Sequence, residues 1–228
     1  IAPKVWAWKE SRVHRLKKYV DRLFIIFPFE IEYFKKWGID AIYRGNPLLD
    51  SVDNHSNAIE TKEAFFRRTG TKPGKHTVAL LAGSRKGEIK YLLPRMVSVA
   101  QKHPDYQFLL ACAPSMDMEV YEKIIGKKCS NIKLMIGETY SILRHSDAAI
   151  INSGTASLEA ALIGVPQVVC YGGNEISYQI AKRVVKLKYI SLANLIMDKG
   201  LFKELIQHQC TPELIDAELD QLLHNKEY

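Results

Sequence analysis

Apolar positions recur along the chain in two patterns. Short continuous apolar runs occupy residues 5–8, 23–27, 41–43, 77–82, 107–113, 132–136, 148–151 and 167–171. They are too short for ordinary helices and most end at a glycine, proline or asparagine, so they predict strands, mostly buried on both faces. Between them, apolar residues fall three or four positions apart. Val13, Leu16 and Val20 predict a helix that Ser11 can cap, and residues 29–37 predict one that Gly38 stops. Residues 58–68 read as another helix. Ile89, Leu92, Leu93 and Met96 mark a longer one that Pro94 is expected to split, since an interior proline costs about 3 kcal/mol. Leu158, Ala161, Leu162 and Val165 form a further stripe. Leu214, Ile215, Leu219, Leu222 and Leu223 form the last, over residues 212–223. Strand and helix alternate nearly throughout, which predicts an α/β fold with a doubly wound parallel sheet.

The alternation breaks once. Residues 50–76 are more polar and end in the loop TGTKPG at 69–74. This places the tail of a first Rossmann-like domain at 1–49 and a connecting helix and linker at 50–76. A second, complete Rossmann-like domain spans 77–208, and 209–228 forms an amphipathic helix expected to pack back toward the first part. The first residue is not Met and lies close to a strand-like run, so an N-terminal part is expected to be missing.

Composition narrows the class. The 228 residues are 47% hydrophobic and 25% charged, as in soluble globular chains, and no apolar run nears the roughly 20 residues that span a bilayer. Cys112, Cys129, Cys170 and Cys210 are widely spaced with no C-x-x-C, and read as buried thiols of a reducing compartment. The histidines do not cluster with cysteine, so no metal is expected. The net charge of +7 is partly local: Lys4, Lys9, Arg12, Arg15, Lys17 and Lys18 face only Glu10 within the first 20 residues. That patch is either a solvated helix face or a surface for lipid phosphates. No nucleic-acid motif accompanies the charge, so nucleic acid is not an expected partner.

Three strand-to-helix turns can carry chemistry, because ligands of doubly wound sheets bind where strands end. In AGSRKGE, residues 82–88, Gly83 permits close backbone approach, and Ser84 and Arg85 follow. Arg85 can hold a phosphate through forked hydrogen bonds. In INSGTASLEAALIG, residues 151–164, Ser153 or Thr155 serves as a plain N-cap. Capping leaves Glu159 unexplained, since a capping box places its acid three residues after the cap. A helix N-terminus takes phosphate and a carboxylate one turn deeper takes a ribose, so the pair suits a nucleoside diphosphate. The third turn, YGGNEIS at 171–177, offers two glycines.

These pieces resemble the lipid A disaccharide synthase family, bacterial glycosyltransferases of the two-Rossmann-domain GT-B type. The resemblance rests on VWAWKESRVHRLKKYVD at 5–21, IFPFEIEYF at 26–34, GNPLLD at 45–50, LLAGSRKGEI at 80–89, NSGTASLEAAL at 152–162 and AKRVVKLKYISLANLI at 181–196. It implies transfer of 2,3-diacylglucosamine from UDP to 2,3-diacylglucosamine 1-phosphate, giving a β-1′,6-linked lipid disaccharide and UDP. No metal or other cofactor is implied. The donor would lie on the second domain, with Arg85 neutralising the leaving diphosphate. Gly83, Ser84, Ser153, Gly154 and Thr155 would contact the nucleotide, Glu159 its ribose, and Asn194 would lie near the site. The general base is implied to lie outside this chain, which alone would bind UDP without catalysis. Arg12, Arg15, Lys17, Lys18 and Asn46 would face the acceptor phosphate or the cytoplasmic face of the inner membrane, where the family works as a peripheral enzyme. Asn46 stands where many members carry Gly-His-Pro, which puts any acid–base role there in question. A UDP-sugar epimerase of the same fold and a non-catalytic UDP-sugar-binding module are the alternatives. Oligomeric state stays open.

Overall fold

The computed structural model describes residues 1–8, 10–55, 59–126, 129–173 and 188–228. The first part contains α1 (Val5–Trp8), α2 (Val13–Tyr19), β1 (Leu23–Ile25), α3 (Glu30–Lys36) and β2 (Ala41–Tyr43). β1 and β2 pair in parallel, Leu23 opposite Ala41. Their small core holds Ala2, Val5, Val13, Leu23, Ile25 and Phe34. Gly38 ends α3 with φ of +65°, a left-handed conformation open to glycine.

Two helices lead out of this unit, α4 (Pro47–Asp53) and α5 (Lys62–Thr69). Each has a side-chain cap: Asn46 Oδ1 accepts from Leu48 N at 3.0 Å, and Thr61 Oγ1 from Ala64 N at 3.2 Å. Pro47 sits at the first position of α4, where its missing N–H costs nothing.

The second part contains β3 (Thr77–Leu81), α6 (Lys86–Lys102), β4 (Gln107–Cys112), α7 (Met118–Ile125), β5 (Ile132–Ile136), α8 (Thr139–His145), β6 (Ala148–Asn152), α9 (Thr155–Ile163) and β7 (Gln167–Tyr171). After the undescribed segment come α10 (Leu192–Met197), β8 (Glu204–Ile206) and α11 (Pro212–His224). Six strands form one parallel sheet in the order β5-β4-β3-β6-β7-β8. Every residue of β3 is buried. Val78 and Leu80 turn to a core shared with α6, α7 and α11, whereas Ala79 and Leu81 turn to one shared with α5, α8 and α9. Helices therefore cover both faces, which explains why the strands read as continuous apolar runs.

The structure corrects several expectations. Residues 5–8 are a helical turn, not a strand. Four residues are too few for periodicity to tell the two apart, and the turn sends Val5 into the first core while Trp6 reaches Glu30. Ser11 caps nothing: it lies in a 3-10 turn before α2, whose N-cap is Arg12. Pro94 does not split α6. Only the carbonyl of Lys90, an exposed residue, loses a helical donor there, and burial of Leu92, Leu93, Met96 and Val97 around it outweighs one hydrogen bond. α11 does not turn toward residues 1–49. Its Ile215 and Leu219 enter the main core beside α6, and Asp216 binds Lys102 and His103 at 3.0 and 2.6 Å. α4 and β8 were not foreseen. The helix expected over 58–68 begins later, at Lys62, with Ala58 outside the described residues.

The two parts meet through a separate apolar cluster. Phe27 packs with Leu158 of α9 and Ala193 of α10, and Trp6, Ile26, Phe29 and Leu48 join them. This contact sets the first sheet against the helix that borders the site.

Candidate functional site

The strand order places a switch point between β3 and β6. From β3 the chain winds outward through β4 and β5, and from β6 it winds the other way through β7 and β8. Leu81 and Ile151 are register partners at the carboxyl ends of the two central strands. The turns that follow must diverge, which opens a crevice between them. A cleft of about 460 Å³ lies there. Its lining includes Gly83, Ser84, Arg85, Ser153, Gly154, Thr155 and Glu159, every residue expected at the nucleotide site except Asn194.

Each wall has its own local logic. After β3, Gly83 adopts φ of +102°. The space a side chain would need there is filled by Glu88, so the glycine serves the turn itself rather than close approach of a ligand. The Glu88 carboxylate accepts from Ser84 N at 3.0 Å and Arg85 N at 3.2 Å, and pairs with Arg85 Nη1 at 2.6 Å. This is half of a capping box; the other half is barred, since a guanidinium has no acceptor. The Arg85 side chain is 83% exposed, so the ion pair is weak and its remaining donors are open to a ligand. Glu88 was not singled out from the sequence; its three-residue spacing from Arg85 at the start of a helix is the signal that marks it.

After β6, the N-cap of α9 is Gly154, and no side chain caps it. The expectation that Ser153 or Thr155 would do so is therefore corrected. Ser157 accounts for the turn, donating to Gly154 O at 2.8 Å. Ser153 is fixed by its backbone, donating N–H to Cys170 O at 2.7 Å, and neither its hydroxyl nor that of Thr155 has a partner among the described residues. An uncapped helix N-terminus with two uncommitted hydroxyls is suited to anion binding.

Glu159 lies one turn deeper, half-buried, and accepts from Tyr140 Oη at 2.9 Å. Burial, reinforced by the adjacent carboxylate, pushes the Tyr140 phenol up to about 12. Thr139 of α8 also lines the cleft. Nothing in the sequence around Tyr140 marks it, because its partner is 19 positions away.

Other expected residues lie elsewhere. Asn194 is buried in α10, outside the cleft. Its amide donates to Phe202 O and Glu204 Oε1, both at 2.9 Å, and accepts from Leu201 N and Phe202 N. With both ends of the amide bonded, it braces the connection between α10 and β8 and lies apart from the other expected nucleotide residues. Of the third turn only Tyr171, Gly172 and Gly173 are described; Gly173 N donates to Gln207 Oε1 at 2.9 Å. Asn46 caps α4 and also borders an apolar groove of about 310 Å³ lined by Ile26, Leu49, Leu158, Leu162 and Ile196. Arg12, Arg15, Lys17 and Lys18 are exposed on or beside α2. Lys17 is partly committed, donating to Trp37 O at 3.0 Å where α3 ends. All four cysteines are free and buried. Among the described residues no helix is long and apolar enough to cross a membrane, and no cluster of three or more metal-ligating side chains occurs.

Solved structures with the same architecture include the UDP-GlcNAc 2-epimerase of Neisseria meningitidis bound to UDP-GlcNAc, with a TM-score of 0.63 and 16% identity over 97% of this chain and 58% of that one. The glycosyltransferase WaaG, involved in lipopolysaccharide biosynthesis, matches with a TM-score of 0.53 and 14% identity over 90% of this chain and 54% of that one. At such identities these likenesses establish the fold, which is of the GT-B type. The lipid-A-disaccharide synthase of Syntrophotalea carbinolica is 38% identical over 233 residues, all of this chain and 58% of the relative. That of Syntrophus aciditrophicus is 38% identical over 98% of this chain and 58% of the relative. The chain thus spans little more than half the length of the curated relatives it matches. The LpxB model, described as lipid-A-disaccharide synthetase, matches residues 1–228, and the chain belongs to that family.

Proposed function

We propose that this chain is the donor half of a glycosyltransferase that moves 2,3-diacylglucosamine from UDP to 2,3-diacylglucosamine 1-phosphate and releases UDP. The observation that carries the reading is the switch-point cleft. Arg85, the uncapped N-terminus of α9 and Glu159 meet there in the arrangement a nucleoside diphosphate requires. The diphosphate lies across the α9 N-terminus and is neutralised by Arg85, which leaves Glu88 for the ligand. As the sugar–phosphate bond breaks, negative charge grows on the β-phosphate, and the same donors stabilise it more strongly than in the ground state. Glu159 is too deep to meet phosphate and accepts from a ribose hydroxyl. The general base is supplied by residues outside this chain.

Calorimetric titration of UDP tests the site. The expected outcome is binding by this chain and a loss of about tenfold in Arg85→Ala and in Glu159→Ala, the scale of one charge-assisted hydrogen bond. Unchanged affinity in both variants would remove the assignment. In the full-length protein, a lipid disaccharide product separates the transferase from an epimerase of the same fold, which would return free epimerised sugar.

The acceptor side rests on α2. Arg12, Arg15 and Lys18 are exposed there beside Tyr19 and Val20, themselves 69% and 41% exposed. Cations next to exposed apolar groups suit an anionic lipid surface. Arg15→Gln with Lys18→Gln is expected to lower binding to vesicles of anionic phospholipid roughly thirtyfold, read by co-sedimentation, at about 1 kcal/mol per charge. Equal sedimentation of both proteins would remove the membrane reading. The apolar groove across α9 from the cleft supports an acylated sugar as the substrate.

A further inference from the structure

The described partners of the cleft's carboxylate single out a residue that no motif marks. Glu159 Oε1 is taken by Tyr140 Oη at 2.9 Å, and Oε2 has no partner among the described residues. Tyr140 itself is held from several sides. Its ring packs edge-on against His55 at 5.1 Å, in the segment that follows α4. Two positions on in α8, Ile142 and Leu143 are fully buried in the core beneath the sheet. One turn on, Arg144 Nη2 donates to Val52 O of α4 at 3.3 Å. At the start of the helix, Glu138 pairs with Arg68 of α5 at 2.6 Å. α8 is therefore fixed to α4, to α5 and to the sheet, and Tyr140 cannot follow Glu159 if the carboxylate swings.

We propose that Tyr140 is a positioning residue for nucleotide recognition: it occupies one oxygen of Glu159 so that the other alone is presented, in one orientation, to a ribose hydroxyl. This rests on the reading of the cleft as a nucleoside diphosphate site. A carboxylate on a three-bond side chain has free rotation to lose on binding, and the Tyr140 bond removes that freedom beforehand. The bond also discriminates. A nucleotide lacking ribose hydroxyls leaves Oε2 desolvated and unpaired, and a carboxylate that cannot turn away has no other donor to find. Tyr140 thus makes the site selective for a ribonucleotide without touching it.

The test is a ligand-deletion cycle. UDP and 2′,3′-dideoxyuridine diphosphate are titrated calorimetrically into the parent chain, Tyr140→Phe, Glu159→Ala and the double variant. Phenylalanine keeps the ring against His55, and thermal unfolding checks that the fold is retained. Tyr140→Phe is expected to weaken UDP about fivefold, the worth of one ordinary hydrogen bond, and to tighten the dideoxy nucleotide, because the released carboxylate can then turn away. In the Glu159→Ala background, adding Tyr140→Phe is expected to change neither. Equal weakening of both nucleotides by Tyr140→Phe, or no weakening of UDP, would overturn the proposal while leaving the nucleotide site standing. A parent chain that binds neither nucleotide would overturn the nucleotide reading itself, and this proposal with it.

Discussion

Replacing Glu30 with alanine is expected to lower the stability of the first part of the chain by about 3–5 kcal/mol. The carboxylate is fully buried, accepts three hydrogen bonds and faces one ammonium. Oε1 accepts from Trp6 Nε1 at 2.8 Å, Oε2 from Phe27 N at 3.0 Å and Ile26 N at 3.2 Å, and Lys4 Nζ lies 3.8 Å away. Lys4 Nζ is itself buried without a hydrogen bond, 3.6 Å over the Phe27 ring, and burial pulls its pKa down. Alanine would strand two backbone N–H groups, an indole N–H and a desolvated ammonium at once. Glutamine keeps one acceptor oxygen and the shape, so Glu30→Gln is expected to cost less than half as much. All three tryptophans, Trp6, Trp8 and Trp37, lie in the first 37 residues, so tryptophan fluorescence reports this part alone. In urea its midpoint should fall in Glu30→Ala well before the far-UV circular dichroism of the large sheet moves. Coincident and unshifted midpoints would refute the account. The consequence reaches the site, because Trp6 and Phe27 form the cluster that seats the first part on α9.

The large sheet was legible because burial on both faces writes itself into local sequence. The β5 and β7 strands lie at the positions their apolar runs predict, and β3, β4 and β6 differ by one residue at the end. Where elements are short or half-polar, that signal fails. β8, with sequence ELI, has one buried residue and no run to betray it. The turn at Val5–Trp8 looked like a strand because both states accept four apolar residues. The cleft was legible at its turns, because ligands of doubly wound sheets bind where strands end, and the polar turns after β3 and β6 mark those ends. Its supporting partners were not. Asn194 looks polar and available in sequence, yet its amide closes the α10–β8 connection. Tyr140 looks like an ordinary aromatic and touches the cleft's carboxylate. Side-chain pairs formed between distant segments leave no trace in spacing.

The second large effect is expected at Gly83→Ala, and it separates the turn's geometry from its chemistry. A Cβ on Gly83 would lie 2.5 Å from Glu88 Oε2 and 2.7 Å from Glu88 Cβ, with Asn152 Nδ2 at 3.0 Å. The carboxylate tip could move aside, but Glu88 Cβ is anchored in the first turn of α6, so the β3–α6 turn itself must shift. The φ of +102° adds strain of about 1–3 kcal/mol for any residue with a side chain. Displacing Glu88 also forfeits its bonds to Ser84 N and Arg85 N, worth about 1 kcal/mol as a helix cap. Gly83→Ala is therefore expected to cost about 2–4 kcal/mol in stability and to weaken UDP more than tenfold, because Ser84 and Arg85 leave their place in the cleft. Glu88→Gln distinguishes the causes. Its amide oxygen still accepts from the two backbone N–H groups, while the ion pair that holds Arg85 at 2.6 Å is lost. If Arg85 must leave Glu88 to meet a diphosphate, Glu88→Gln should bind UDP as tightly as the parent chain or tighter, with little loss of stability. Weakening in both variants would mean that Glu88 presents Arg85 to the ligand rather than competing for it. Unchanged affinity in Gly83→Ala, with the lost stability confirmed, would place the diphosphate away from this turn altogether.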